Sequence, residues 1–174
     1  MPCLRTIIGL DLGKTTGVCV IDLSGQWRVF SISSKAKDIV DAAVEVGERL
    51  RHAIEDIDGR DPFVGIEDLS YGYAGKRRSL VQMSEFRGLI RYFLKQWGME
   101  HGFVPVTRAR CFLLGKGYGG VKKADLQRRL ESQGFTFADD NMMDAFVVAL
   151  YFDKVLNGRR LVEVRYQPEL FEGE

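Results

Sequence analysis

Histidine and cysteine are scarce in this chain, with two and three among 174 residues. Cys3, Cys19 and Cys111 are odd in number and widely spaced. They form neither a zinc pattern nor a disulfide framework, which points to a reducing, cytosolic compartment. His52 and His101 stand far apart in no ligand pattern and read as ordinary surface residues. There is no apolar run approaching the roughly 18 residues that a membrane span needs. The opening MPCLRTIIGLDLG has one Arg and then a short apolar stretch that runs into an Asp. A secretory leader would want a longer apolar region and a small-residue cleavage site, so the stretch reads as a buried strand. Repeats, low-complexity tracts and long linkers are missing too, and 45% apolar content suits one domain with a sizeable core.

Net charge is only +1, but the charges are not mixed evenly. From Lys37 through Ser70 there are ten acidic and four basic residues; from Ala74 through Leu130 there are thirteen basic and three acidic. Such asymmetry is what a phosphate-binding face needs, and a solvated helical surface would look the same.

Arg5 to Asp11 is an apolar run that ends in a carboxylate, followed by the turn Gly13-Lys14-Thr15-Thr16-Gly17. Residues 18–23 and 27–32 read as two more strands around Ser24-Gly25, giving an antiparallel meander. Ile39, Ala43, Val46, Leu50, Ile54 and Ile57 make a helical stripe over 37–57. Asp61-Pro62 breaks it, and Phe63 to Glu67 reads as a buried strand that again ends in a carboxylate. A loop rich in Gly and Tyr follows. Helical periodicity resumes over 78–97, where the apolar set either packs on its own sheet or offers a dimer face. Residues 102–106 form a fifth strand, then helices are expected at about 107–114, 122–133 and 140–157, with the glycine-rich 115–120 irregular. The expected fold is α/β, with a five-stranded mixed sheet and helices on both faces. The domain spans 1–157, with 158–174 as a C-terminal extension.

The chemistry rests on carboxylates. Asp11 and Glu67 each close an apolar strand, where a charge must sit at the mouth of the sheet or bind a cation. If the two strands are parallel neighbours, both side chains converge at one edge. Asp140 and Asp144 lie four residues apart on the last helix, hence on one face, which is unfavourable unless something positive lies between them. Oxygen ligands without His or Cys favour magnesium, with manganese as a substitute, over zinc. Paired ions of that kind support phosphodiester hydrolysis. Each residue also has a plain structural reading. Asp11 could cap the turn at Gly13, Glu67 could be an ion-paired edge residue, and Asp139 or Asp140 could be a helix N-cap. The ordered joint pattern favours the metal site.

Five segments, in order, resemble the RuvC-type resolvases of four-way DNA junctions, members of the RNase H-like class. They are Ile8-Gly9-Leu10-Asp11-Leu12-Gly13 with Gly17-Val18; Gly65-Ile66-Glu67; Glu85-Phe86-Arg87-Gly88; Gly115-Lys116-Gly117 with Lys122-Lys123-Ala124-Asp125-Leu126; and Asp140-Asn141-Met142-Met143-Asp144-Ala145. The resemblance implies an RNase H-like fold and a homodimer that nicks a four-way junction symmetrically, leaving 5′-phosphate and 3′-hydroxyl ends. It implies that Asp11, Glu67 and Asp144, with Asp140 or Asn141, hold two magnesium ions. Lys123 (or Lys122) would stabilise charge on the phosphate. Arg77, Arg78, Lys116 and Lys122 would contact the DNA backbone, and Tyr71 or Tyr73 would insert at the junction centre. Asn141 stands where the bacterial pattern has an acidic residue, which suggests a phage-type or divergent member, at work in the cytoplasm of a bacterial or phage-infected cell.

The tail Gln167-Pro168-Glu169-Leu170-Phe171 has the spacing of short peptides that dock on sliding clamps, and equally that of a hydrophobic tail tacked onto its own domain. Three rivals share parts of the pattern. One is another RNase H-like nuclease acting on RNA or flap DNA. A second is a junction-binding protein without activity. The third is an actin- or hexokinase-like ATPase, suggested by Gly9 to Thr16, for which the chain is too short.

Overall fold

A computed structural model describes residues 4–55, 57, 62–68, 77–114, 122–159 and 165–166, with side chains left aside at 77–79 and 165–166. Tyr71, Tyr73, Lys116 and the Gln167–Phe171 segment lie outside the described residues, as do the side chains of Arg77 and Arg78.

The expected meander is present as β1 (Ile7–Asp11), β2 (Thr15–Ile21) and β3 (Gln26–Ser33), each antiparallel to the next. Helix α1 (Ile39–Glu55) leads to β4 (Phe63–Asp68), and α2 (Arg77–Gln96) leads to β5 (Glu100–Pro105). Then come α3 (Val106–Leu114), α4 (Lys123–Ser132) and α5 (Asp140–Asn157). Strands β4 and β5 join parallel to β1, as the two carboxylate-ending strands require. A two-residue strand, β6 (Arg165–Tyr166), pairs parallel with β3 and extends the five main strands to the order β5-β4-β1-β2-β3-β6. Sequence gave no hint of β6, because two residues carry no periodicity. Arg159, just past the boundary expected at 157, is bonded to Asp153 and to the backbone of Asp22 and Leu23, so the start of the extension is tied to the domain.

Strand alternation divides the core in two. Ile8, Leu10, Val18 and Val20 face α1 and α2, while Ile7, Cys19 and Ile21 face α5, with Ala109 of α3 and Leu126 and Leu130 of α4 in the same cluster. The stripe of α2 goes mainly inward: Phe86, Ile90 and Leu94 are fully buried in the α1–α2 layer. Every residue of α5 from Met143 to Leu150 is buried, so this helix lies inside the molecule rather than on it.

Glycine makes that central position possible. Gly9, Gly65 and Gly102 are in register across β1, β4 and β5. A Cβ on Gly9 would fall on the Ala145 carbonyl and 2.6 Å from Ala149 N. One on Gly65 would enter the Phe152 ring, and one on Gly17 would strike the Asn141 carbonyl. The sheet is thus bare where α5 crosses it, and helix backbone meets strand backbone directly.

Replacing Gly9 with Ala is expected to destabilise the protein by about 2–3 kcal/mol, because the clash is with backbone that has nowhere to move. Urea denaturation of the variant measures this. A loss below about 0.5 kcal/mol would show that α5 sits less tightly than described.

Candidate metal centre

Strand register puts two carboxylates side by side. Leu10 pairs with Ile66, so Asp11 and Glu67, one residue on, emerge together at the ends of β1 and β4. Both point to the α5 face, since Leu10 and Ile66 point to the other. Asp144, on the first turns of α5, comes down onto them because Ala145 rests on Gly9. Carboxylate oxygens of Asp11, Glu67 and Asp144 all lie within 4.8 Å of one another. Three elements from distant parts of the chain therefore converge as expected.

The two capping readings resolve directly. The turn after β1 is held by Thr16, whose Oγ1 donates to the Gly13 carbonyl (2.6 Å) and accepts from Gly13 N (3.2 Å), so Asp11 is not its cap. Lys14 in the same turn donates to the carbonyls of Ala36 and Lys37. The N-cap of α5 is Asp139, whose Oδ1 accepts from Met142 N (2.8 Å) while Oδ2 accepts from Ser31 Oγ (2.8 Å), pinning the helix start to β3.

Asp140 is mostly exposed and lies outside the three-carboxylate group, one cation away from it. What lies between Asp140 and Asp144 is Lys123, the first residue of α4. Its Nζ donates to Asp144 Oδ2 at 2.7 Å and is 3.2 Å from Asp140 Oδ2. Asn141 is half-buried, with its carbonyl over Gly17. Lys122 is exposed at the N-cap of α4 and makes no side-chain cap bond.

Sequence reasoning missed Arg110. Its Nη2 donates to Asp144 Oδ1 at 3.1 Å, so each oxygen of that carboxylate has its own cation. Nothing in the sequence separates Arg110 from Arg108, which stacks over Tyr151 instead. Only the phase of α3 sends one inward and the other away. Arg87, quoted only as part of a motif, is buried on α2, and its charge acts on both Asp11 and Glu67.

Burial dominates the electrostatics. It pushes Asp11 up to about 7, with the Asp144 charge adding to the effect. It pushes Glu67 to about 8, reinforced by Asp11 and then Asp144. Burial alone would lower Lys123, but its bonds to Asp144 and Asp140 outweigh that and hold its ammonium charged. The described cations thus leave Asp11 and Glu67 short of positive charge. Hard oxygen donors, too close together to ionise jointly, fit magnesium or manganese.

No family model and no curated protein matches the chain. Solved structures do. The Thermus thermophilus RuvC structure superposes with a TM-score of 0.66 at 13% identity, covering 87% of this chain and 96% of that one. T. thermophilus RuvC in complex with Holliday junction substrate gives 0.63 at 13% identity, over 89% and 95%. The yeast mitochondrial Holliday junction resolvase Ydc2 gives 0.56 at 11% identity, over 86% and 78%. The chain has the RuvC fold, as its motif order implied.

With folded values near 7 and 8 against ordinary values of 3.8 and 4.5, the folded protein keeps both protons to higher pH than the unfolded chain does. The contribution of these two groups to metal-free stability is therefore greatest below about pH 4 and falls as pH rises towards 8, by about 1.4 kcal/mol per unit of displacement for each group. Melting temperature in EDTA is expected to drop between pH 5 and pH 8. Magnesium or manganese should restore most at the alkaline end, where the metal replaces no protons. A flat EDTA profile with no metal effect would remove the centre.

Proposed function

We propose that this protein is a divalent-metal-dependent endonuclease that acts on branched DNA, resolving four-way junctions as a homodimer by paired nicks. The observation that carries the reading is the convergence of Asp11, Glu67 and Asp144 on a RuvC fold, with Lys123 and Arg110 against Asp144. A RuvC of the same fold is known in complex with a Holliday junction. No helix among the described residues is long and apolar enough to cross a membrane.

Asp11, Glu67 and Asp144 would hold magnesium or manganese. A metal held there would supply Lewis-acid chemistry, lowering the pKa of water and stabilising charge on the leaving oxygen of phosphodiester hydrolysis. The protein's own part is positioning. Strand ends and a buried helix fix the three carboxylates, so they need no rearrangement to meet a substrate. Lys123 and Arg110 present fixed positive charge beside Asp144, where a phosphate oxygen gaining charge would be stabilised. Asp140 helps to aim the Lys123 ammonium, and Lys122, exposed at the same helix start, suits a neighbouring backbone phosphate.

Dimerisation fits the outer face of α2. Val81 and Tyr92 are each 57% exposed there. Gly88 lies between them with open space around its Cα, which lets a second helix come close.

Asp11→Asn is expected to lower the cleavage rate of a synthetic four-way junction at least 10³-fold while leaving binding within about twofold. A panel of junction, flap, RNA–DNA hybrid and single-stranded substrates, with and without magnesium, tests the substrate class. Equal cleavage of all four would defeat the junction reading. Gly88→Leu with Tyr92→Glu should give monomers by light scattering and convert paired nicks into unpaired ones. A variant that remains dimeric would move the interface elsewhere.

A further inference from the structure

The metal centre leaves a second basic feature unused. On α2, Arg87, Arg91 and Lys95 are spaced by four residues, so they line one flank over about 12 Å. That flank faces β5, because the guanidinium carbons of Arg91 and Arg87 lie 4.9 and 5.8 Å from the centre of the Phe103 ring. The His101 ring meets Phe103 edge-on at 6.0 Å. Phe103 is 36% exposed on the outermost strand of the sheet. The line is anchored at Arg87, beside the carboxylates, and runs along the helix to exposed Arg91 and then to Lys95, which lies at the margin of the proposed dimer face around Gly88.

Some exposed cations have carboxylate mates, as Arg51 has in Glu55 and Arg128 in Asp125; others, such as Lys122 and Arg129, have none among the described residues, so it is the stack on Phe103 that sets Arg91 apart. Arg91 and Lys95 have no carboxylate mate among the described residues. Like charges at this spacing repel on a bare helix, and no local carboxylate relieves the pair. Stacking on Phe103 holds the Arg91 guanidinium in one place with its N–H edges available. A cation fixed in position and not neutralised suits a phosphate backbone, which supplies anions at regular intervals.

We infer that Arg91 and Lys95, with Phe103 as the platform under Arg91, form a backbone track that leads a nucleic-acid duplex away from the metal centre along the edge formed by α2 and β5. The track deepens the proposed nuclease reading by assigning the path of one duplex arm. It reads phosphates and not bases, and it adds affinity for long arms without taking part in cleavage.

The test compares wild type, Arg91→Gln with Lys95→Gln, and Phe103→Leu. A further variant, Arg51→Gln, removes a cation that is already paired. Binding is measured from low to moderate salt on junctions with arms of about 20 and about 6 base pairs, and on a plain 30-base-pair duplex. The double variant should lose about tenfold in affinity for the long-armed junction and the duplex. Its salt slope should be smaller by about two, close to one per phosphate contact. Binding and cleavage of the short-armed junction should stay unchanged. Phe103→Leu should fall between, and Arg51→Gln should match wild type.

An unaltered salt slope in the double variant would overturn the track, and so would a loss of affinity that comes with dissociation to monomers by light scattering. So would a lowered melting temperature with DNA binding intact, which would make Arg91 a cover for Phe103 alone. The duplex arm separates this inference from the nuclease reading. If wild type cleaves no junction but the variants still lose duplex affinity as stated, the track stands without that reading. If wild type binds no nucleic acid, both fall.

Discussion

The contact on which everything else depends is the seat of a buried helix directly on strand backbone. Gly9 and Gly17 offer α5 no side chain, so the carbonyls of Ala145 and Asn141 come to rest where a Cβ would otherwise be. Gly65 and Gly102 continue the bare row beneath Phe152. Packed helices and sheets lie well apart when side chains intervene. Here the spacers are gone at the end of the helix that carries Asp144. Glycine is a costly residue in a strand, where it adds backbone entropy and packs nothing. Its placement at these positions makes sense only as clearance for the helix.

That seat creates an electrostatic problem which the fold only partly relieves. Three carboxylates within 4.8 Å, two of them well buried, cannot all be charged without more positive charge than the described side chains supply. Within the cluster Lys123 and Arg110 bond Asp144, and Lys123 also reaches Asp140 outside it. Asp11 feels the charges of Lys123, Arg87 and Arg110, and Glu67 those of Arg110 and Arg87, yet burial and the neighbouring carboxylates outweigh them and both groups remain proton-loving. A stable domain with no other use for the cluster would replace one of these residues by an apolar one, as buried ion pairs can be replaced without loss. A divalent ion among the three carboxylates would relieve that strain, which is why the cluster carries the proposed function.

Charge is also organised on the larger scale. Acidic residues gather on α1, the helix before the basic ones, and Glu55 pairs there with Arg51. Basic residues on α2, α3 and α4 approach the carboxylates from two sides, through Arg87 on one and through Arg110 and Lys123 on the other. The site thus has carboxyl groups at its centre and cations at its margins. A metal-assisted reaction on a phosphate polyanion needs this pattern.

Much of this was legible in the linear sequence, because strand and helix periodicities are local. Two apolar runs that each end in a carboxylate, Asp11 and Glu67, could be read as strand ends, and the Asp140–Asp144 spacing as one helix face. Mixed α/β layering followed from the order of those elements. What tertiary structure alone decided was phase and distance. It made Asp139 the cap and left Asp140 outside the cluster, it let Thr16 free Asp11 from its turn, and it turned Arg110 inward while Arg108 faced out. Residues two apart on a helix differ by about 200° in direction, and only the packed neighbours determine which of those directions meets the site.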